Sequence, residues 1–141
     1  ILQKNKKNNI IYNIPDIYRK YIPGKKEINK IRIRENYAYL ACSFGIVVID
    51  IAKKEIFDTW KPGAESESPE IWDLAFGNGS IYAATSAGIY SADLSNTGLS
   101  YFGNWSRLDN MPYPSGNYTS IVLSGGILYA NLSVKDSGGD T

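Results

Sequence analysis

Histidine is absent from this 141-residue sequence, and cysteine occurs once, as Cys42. Without histidine the chain cannot form a Ser-His-Asp triad, a histidine metal site or a histidine acid–base pair. A single cysteine cannot form an internal disulfide, and the apolar run Tyr39-Leu40-Ala41-Cys42 predicts a buried structural thiol. We therefore expect no cofactor, no metal and no catalytic residue in this chain.

The sequence also lacks a strong charge bias and a long apolar run. Lys and Arg number 15 against 14 Asp and Glu, which leaves a net charge of +1. This balance gives no electrostatic reason to expect a nucleic-acid partner. No stretch approaches the roughly 18 apolar residues of a membrane-spanning helix. The chain begins at Ile1 without a signal-peptide pattern, so we expect any targeting signal to lie upstream.

Aromatic and turn-forming residues are abundant, and they favour a sheet protein. The chain contains 11 Tyr, 13 Gly and 6 Pro. Tyrosine is enriched in strands, and glycine and proline mark tight turns. No segment shows the 3.6-residue periodicity of an amphipathic helix. The composition therefore predicts an all-β protein.

An internal repeat is the main signal in the sequence. Residues 31–46 align without a gap with residues 74–89, and a third copy begins at Ile121. A fixed repeat of this length indicates a propeller or another repeat architecture. The repeated residues are Tyr39/Tyr82/Tyr129, Ala41/Ala84, Ser43/Ser86, Gly45/Gly88, Ile46/Ile89 and Asp50/Asp93.

Each copy has the pattern of short strands joined by tight turns. Such a unit of four strands, repeated head to tail, is typical of a β-propeller blade. The predicted fold is an all-β propeller fragment with two complete four-stranded antiparallel blades flanked by partial blades. Propellers have about four to eight blades, so we expect the native polypeptide to be much longer. The expected ranges are 1–27 for the end of a preceding blade, with a strand at Ile10–Ile14, then 28–62, 71–105 and 118–141.

The repeated residues have structural explanations. The turns at Gly45 and Gly88 are expected to need a positive φ. Asp50 and Asp93 follow the third strand of each copy, where their side chains can accept backbone amides of the next turn. A carboxylate repeated at the same place in each copy is a feature of the fold, and it does not indicate catalysis.

Two groups of residues outside the repeat could bind a ligand. Glu65, Glu67 and Glu70 cluster in a loop, but their spacing fits no calcium site, which favours a flexible acidic loop. The connection 98–116 carries Trp105 with Tyr101, Arg107 and Tyr113. Aromatic residues on such a connection can contact a sugar or a peptide partner, and the alternative for Trp105 is packing between blades.

The order of the motifs resembles the amino-terminal propeller of the PorZ family, which belongs to the type IX secretion system of Bacteroidota. The similarity covers nearly the whole chain. The motifs are Asn36-Tyr37-Ala38-Tyr39-Leu40, Phe44-Gly45-Ile46-Val47-Val48, residues 81–90, Asn104-Trp105, residues 128–132 and the connection Asn13-Ile14-Pro15-Asp16-Ile17.

The resemblance implies a non-enzymatic component on the cell surface, peripheral to the outer membrane. It implies a complex with the sortase PorU and the proteins PorV and PorQ, and recognition of anionic lipopolysaccharide. It transfers no binding residue to this chain. A second interpretation is the periplasmic glycan-sensing propeller of a hybrid two-component sensor, and a third is a propeller glycosidase or lyase.

Overall fold

The computed structural model describes residues 2–5, 10–13, 27–63, 68–136 and 139–140. Within these ranges the regular structure is β, apart from one turn of 3-10 helix at Phe102–Asn104. The strands are β1 (Leu2–Asn5), β2 (Ile10–Asn13), β3 (Ile28–Arg34), β4 (Tyr37–Cys42), β5 (Gly45–Asp50), β6 (Glu55–Trp60), β7 (Ile71–Gly77), β8 (Ser80–Thr85), β9 (Gly88–Asp93), β10 (Ser106–Arg107), β11 (Asn117–Ser124), β12 (Ile127–Ser133), β13 (Lys135–Asp136) and β14 (Gly139–Asp140).

Two of the sheets contain four antiparallel strands each, in the order of the sequence. The first is β3-β4-β5-β6 and the second is β7-β8-β9-β10. The pairs β1-β2 and β11-β12 form two-stranded sheets before and after them. The predicted fold class, a propeller fragment with two complete blades flanked by partial ones, is confirmed. None of the described residues belongs to a helix long and apolar enough to cross a membrane.

Several details differ from the expected ranges. The strand expected at Ile10–Ile14 is observed as β2, which ends at Asn13 and pairs with β1. The fourth strand of the second sheet, β10, lies just beyond the expected end of that blade at residue 105. The hairpin β13-β14 had no counterpart in the sequence prediction. The connection at residues 14–26 and the acidic residues Glu65 and Glu67 lie outside the described residues.

The two complete sheets pack face to face around aromatic side chains. The ring of Tyr39, on β4, lies 4.8 Å from the ring of Phe76, on β7, and 5.8 Å from that of Trp60. Ala41 and Ala83 are buried in the same cluster, where a larger side chain would hold the sheets apart. Burying each large apolar side chain contributes about 1.5–3 kcal/mol, so this interface is a main source of stability.

The repeated tyrosines share a strand position but not an environment. Tyr39 lies opposite Val48 on the third strand, and Tyr82 lies opposite the equivalent Ser91. Tyr39 is buried between the two complete sheets, whereas Tyr82 is only half-buried and packs against the separate cluster formed with β11. Tyr129 is exposed. Burial differs because a four-stranded sheet covers Tyr39, while only the two-stranded sheet β11-β12 follows Tyr82.

The repeated serines connect the start of each blade to its central turn. The Oγ atoms of Ser43 and Ser86 accept hydrogen bonds from the amides of Glu27 and Glu70, each at 3.0 Å. The amides of the same serines donate to the carbonyls of the same glutamates, at 2.9 and 3.0 Å. Each serine therefore satisfies both backbone groups of the residue that precedes the first strand, which explains its repetition.

The repeated aspartates organise the turn after the third strand. Asp50 Oδ1 accepts the amide of Lys53 at 3.1 Å, and Asp93 Oδ1 accepts the amide of Ser95 at 2.9 Å. The hydrogen bond from the Ser95 amide lowers the pKa of Asp93, because it favours the charged form. Both aspartates thus supply acceptors to amides that the ladder leaves unpaired.

The repeated glycines occupy backbone conformations that other residues rarely adopt. Gly45 has a φ of +143° and Gly88 a φ of +120°. A Cβ atom on Gly45 would lie 2.6 Å from the Trp60 carbonyl oxygen, and one on Gly88 would collide with the Pro114 carbonyl oxygen. A side chain at either position would therefore require both backbone strain and a displaced neighbour.

A buried carboxylate joins the first strands of three consecutive copies of the repeat. Asp73, on β7, is 1% exposed. Its oxygens accept hydrogen bonds from Arg32 on β3, through Nε and Nη2 at 3.1 Å each, and from the Ile121 amide on β11 at 3.1 Å. The Leu74 amide donates to Oδ1 at 2.8 Å. Asp73 therefore fixes the position of each neighbouring sheet relative to its own.

A second hydrogen bond between blades recurs with different residue types. Asn29 Nδ2 donates to Glu70 Oε2 at 3.0 Å, and Trp72 Nε1 donates to Asn117 Oδ1 at 2.7 Å. Asn29 and Trp72 occupy equivalent positions in the repeat, as do Glu70 and Asn117. The chain thus keeps a donor and an acceptor at this interface while it changes the side chains that carry them.

Asp73→Ala is expected to reduce the free energy of unfolding by about 2–4 kcal/mol, because two buried amides and the Arg32 guanidinium lose their acceptor. Urea unfolding measures the change. Asp109→Ala is the matched control, since it removes an exposed carboxylate that accepts from Arg107 Nε at 2.8 Å. Its cost should stay below about 1 kcal/mol. Equal costs for the two variants would contradict the role assigned to Asp73.

Cys42 is expected to resist alkylation in the native protein. Burial raises the pKa of its thiol to about 12, so the reactive thiolate is scarce at neutral pH. Iodoacetamide should label Cys42 only after unfolding in urea, as measured by mass spectrometry. In the unfolded chain the thiol has a pKa of about 8.5, so its contribution to stability should fall as the pH rises from there toward 12. Rapid labelling of the folded protein would contradict this prediction.

Candidate functional site

The buried polar groups of the described residues are occupied by contacts within the chain. Among these residues, no three His, Cys, Asp or Glu side chains converge where they could hold a metal ion. In the same part of the chain, every buried side-chain nitrogen and oxygen has a hydrogen-bond partner. Glu70, the described member of the acidic cluster, accepts from Asn29 at the interface between the sheets. Candidate sites therefore lie in the clefts and on the exposed side chains.

Trp105 packs between the blades. It is 6% exposed, its ring lies 6.1 Å from that of Trp60, and its Nε1 donates to the Leu99 carbonyl at 2.9 Å. Of the two interpretations open from the sequence, packing fits this environment. The indole presents no free face to solvent, and it supports the connection 98–116 from beneath.

The other candidate residues in this connection are exposed, but they do not form one cluster. Tyr101 is 59% exposed, and its ring is tilted by 54° against that of Phe102, with the ring centroids 4.9 Å apart. Tyr113 is 68% exposed and has a positive φ of 54°. Arg107 and Tyr113 line the same cleft, whereas Tyr101 and Trp105 lie outside it.

That cleft lies between residues 107–113 and strand β12. It has a volume of about 670 Å³ and a largely apolar lining that includes Leu108, Met111 and Leu128. The Tyr118 hydroxyl donates to the Pro112 carbonyl at 2.7 Å and thereby fixes the loop that forms one wall. Burial raises the pKa of Tyr118, which keeps this hydroxyl protonated as the donor.

A second depression, the interblade groove, lies between the two complete sheets and was not predicted from the sequence. Its volume is about 280 Å³. The walls are formed by Tyr37, Phe57, Asp58 and Trp60 from the first sheet and by Asn96 and Thr97 from the connection after β9.

The interblade groove depends on a β-bulge in strand β6. Val48 pairs with Asp58, whereas the next residue, Ile49, pairs with Ile56, so Phe57 is the extra residue. In a regular strand Phe57 and Asp58 would point to opposite faces, but here both line the groove. The alternation of residues in the sequence gave no signal of this bulge.

Comparison with known proteins shows that most of the chain matches one protein family. Residues 2–106 match the family model described as the N-terminal β-propeller domain of PorZ of the type IX secretion system. A search among curated proteins finds no significant match.

Solved structures with a similar fold come from natural and designed proteins. PorZ of Porphyromonas gingivalis, described as an essential bacterial surface component of the type IX secretion system, is similar with a TM-score of 0.70 and 23% identity. That similarity covers 88% of this chain and 16% of the PorZ chain, so the present chain spans a small part of that protein's length.

Two further structures share the fold at lower similarity. The extracellular domain of a putative hybrid two-component system from B. thetaiotaomicron gives a TM-score of 0.55 at 15% identity, over 85% of this chain and 16% of that one. The computationally designed Ika4 protein gives 0.53 at 15% identity, over 80% of this chain and 62% of that one. At these identities the likeness shows the fold alone.

Trp105→Ala is expected to lower the free energy of unfolding by about 3–5 kcal/mol, because it empties a buried indole site and removes the hydrogen bond to Leu99. Tyr101→Ala, in the same connection, should change it by less than about 0.5 kcal/mol, since most of that side chain is exposed. Urea unfolding of both variants measures the difference. A Trp105→Ala variant as stable as Tyr101→Ala would show that the indole does not contribute to the core.

Proposed function

Because the chain belongs to the PorZ N-terminal β-propeller family of the type IX secretion system, we propose that it is a non-catalytic propeller segment of a PorZ-like component at the cell surface. The observation that carries this proposal is the family match over residues 2–106, which spans nearly all of both complete sheets. In this role the protein is peripheral to the outer membrane. It scaffolds an attachment complex with the sortase PorU and the proteins PorV and PorQ, and it recognises anionic lipopolysaccharide.

The connection 98–116 is the proposed partner-facing surface of this segment. Tyr101, Arg107 and Tyr113 are exposed along it, and tyrosine and arginine are enriched among the residues that carry most of the binding energy of protein interfaces. Trp105 anchors the connection to the core, and Asn104 Nδ2 donates to the Gly98 carbonyl at 2.7 Å across its first turn. A connection held in this way presents its exposed side chains with little ordering cost on binding.

The partnership predicts that tagged full-length protein, purified from detergent-solubilised envelopes, retains PorU. It also predicts binding to immobilised anionic lipopolysaccharide that weakens with added salt, because charges are screened within about 10 Å at 0.1 M. The double variant Tyr101→Ala and Arg107→Ala should retain about tenfold less PorU, as expected when interface anchors are removed. Quantitative immunoblotting and surface plasmon resonance measure the two interactions.

Ser100→Ala is the matched control, since Ser100 is exposed in the same connection and carries neither a ring nor a charge. If the double variant retains as much PorU as the control, the partner-facing role of this connection is wrong, but the proposed function is not affected. Absence of both PorU and lipopolysaccharide binding in the unaltered protein would contradict the proposed function.

A second candidate function is the glycan-sensing propeller of a hybrid two-component sensor. The observation that favours it is the similarity to the extracellular domain from B. thetaiotaomicron. The complete open reading frame distinguishes the two candidates. A second propeller followed by a carboxy-terminal sorting domain supports the secretion component, whereas a membrane helix followed by a kinase supports the sensor.

A further inference from the structure

The interblade groove presents an exposed aromatic ring in a fixed position. Phe57 is 59% exposed, yet its ring lies 5.3 Å from that of Tyr37, which is held in turn by the core. The bulge in β6 directs Phe57 into the groove, and bulges often direct a side chain toward a functional site. The groove therefore offers an accessible apolar surface with little freedom to move.

The polar groups of the groove surround this ring. Asp58 accepts from Trp60 Nε1 at 2.9 Å and from the Thr59 amide at 2.9 Å. A carboxylate has about four acceptor sites, so Asp58 retains capacity for a ligand donor. Thr97 is exposed on the opposite wall, beside Asn96. The groove can thus both accept and donate hydrogen bonds within reach of Phe57.

The charges of the groove disfavour an anionic occupant. Two carboxylates, Glu35 and Asp58, line it together with one guanidinium, that of Arg34. Arg34 Nη1 already pairs with Glu35 Oε2 at 3.0 Å. A phosphate or carboxylate ligand would therefore meet an excess of negative charge, whereas hydroxyl groups can donate to the carboxylate oxygens.

The strand geometry disfavours an extended peptide. β6 is the edge strand of its sheet, but the bulge at Phe57 interrupts the regular spacing of its backbone groups. A peptide that binds as an added strand needs that regular spacing along the edge. What remains is a small ligand with an apolar face and hydroxyl groups around it, which describes an uncharged sugar ring.

We propose that the interblade groove binds one uncharged pyranose unit of a glycan, with the sugar ring against Phe57 and its hydroxyls bonded to Asp58, Asn96 and Thr97. The volume of about 280 Å³ lies just below the usual range for pockets that take drug-sized ligands, which suits a single sugar unit. The site deepens the proposed function and rests on it for the source of the glycan. On this proposal an uncharged sugar unit of the lipopolysaccharide lies in the groove, and its anionic groups lie outside the groove.

Saturation-transfer NMR on the full-length protein tests the site with methyl pyranosides as probes. The uncharged set comprises the methyl glycosides of glucose, mannose, galactose and N-acetylglucosamine. The acidic set comprises methyl glucuronoside and mannose 6-phosphate. We expect at least one uncharged glycoside to bind at least about fivefold more tightly than any acidic one, since the groove carries an excess of carboxylates. Tighter binding of the acidic probes, or no binding of any uncharged probe, would overturn the inference.

Three variants localise the binding to the groove. Phe57→Leu keeps an apolar side chain but removes the ring, and it should weaken binding about tenfold. Phe57→Trp should keep the affinity within about threefold, because it retains an aromatic face. Tyr129→Leu makes the same replacement at a 54% exposed ring outside the groove, and it should leave binding unchanged. Unfolding midpoints measured in parallel show that each variant is folded.

The failure of this inference can be distinguished from failure of the proposed function. If anionic lipopolysaccharide binds the unaltered protein and Phe57→Leu equally well, while no uncharged probe binds, the groove is not a sugar site and the proposed function stands. If the unaltered protein binds neither lipopolysaccharide nor PorU, the proposed function fails independently of the groove.

Thr97→Val, which removes one exposed hydroxyl without changing the side-chain shape, should weaken the binding of the uncharged glycoside about fivefold. Unchanged affinity in both Thr97→Val and Phe57→Leu would overturn the site.

Discussion

The arrangement of the blades depends on the hydrogen bonds that the Asp73 carboxylate accepts. It is buried where the first strands of three repeats meet, and it accepts from a side chain on one neighbour and a backbone amide on the other. A buried charge without these partners would be costly, so the strands are stable together only in the register that supplies them. The interblade groove lies between two of the sheets that this carboxylate holds, and its width depends on their separation.

The repeat preserves physical roles more strictly than residue types. Glycine, serine and aspartate recur because turns require a positive φ or a short side-chain oxygen, which few other residues provide. The hydrogen bond between blades tolerates a wider range of residue types. Asn29 and Trp72 both supply a donor there, although one is an amide and the other an indole. An interface can exchange side chains as long as each buried donor keeps an acceptor.

Neighbouring sheets also decide which side chains are buried. Leu74 is buried against the first sheet, in the same cluster as Tyr39. Tyr39, beneath the four-stranded second sheet, is more deeply buried than Tyr82, which packs against the cluster formed with β11. The same strand pattern thus produces a more or a less buried position, depending on the sheet that covers it.

The local structure could be predicted from the sequence: the four-stranded units, the glycine and aspartate turns and the burial of the Cys42 thiol. These follow from short-range backbone preferences and from alternation along a strand, which a sequence displays directly. Contacts between distant strands, by contrast, place Trp105 in the core and join three strands at Asp73, and the bulge in β6 puts Phe57 on the same face as Asp58. Each of these depends on residues brought together from different strands or on a one-residue change of register, and neither leaves a periodic trace in the sequence.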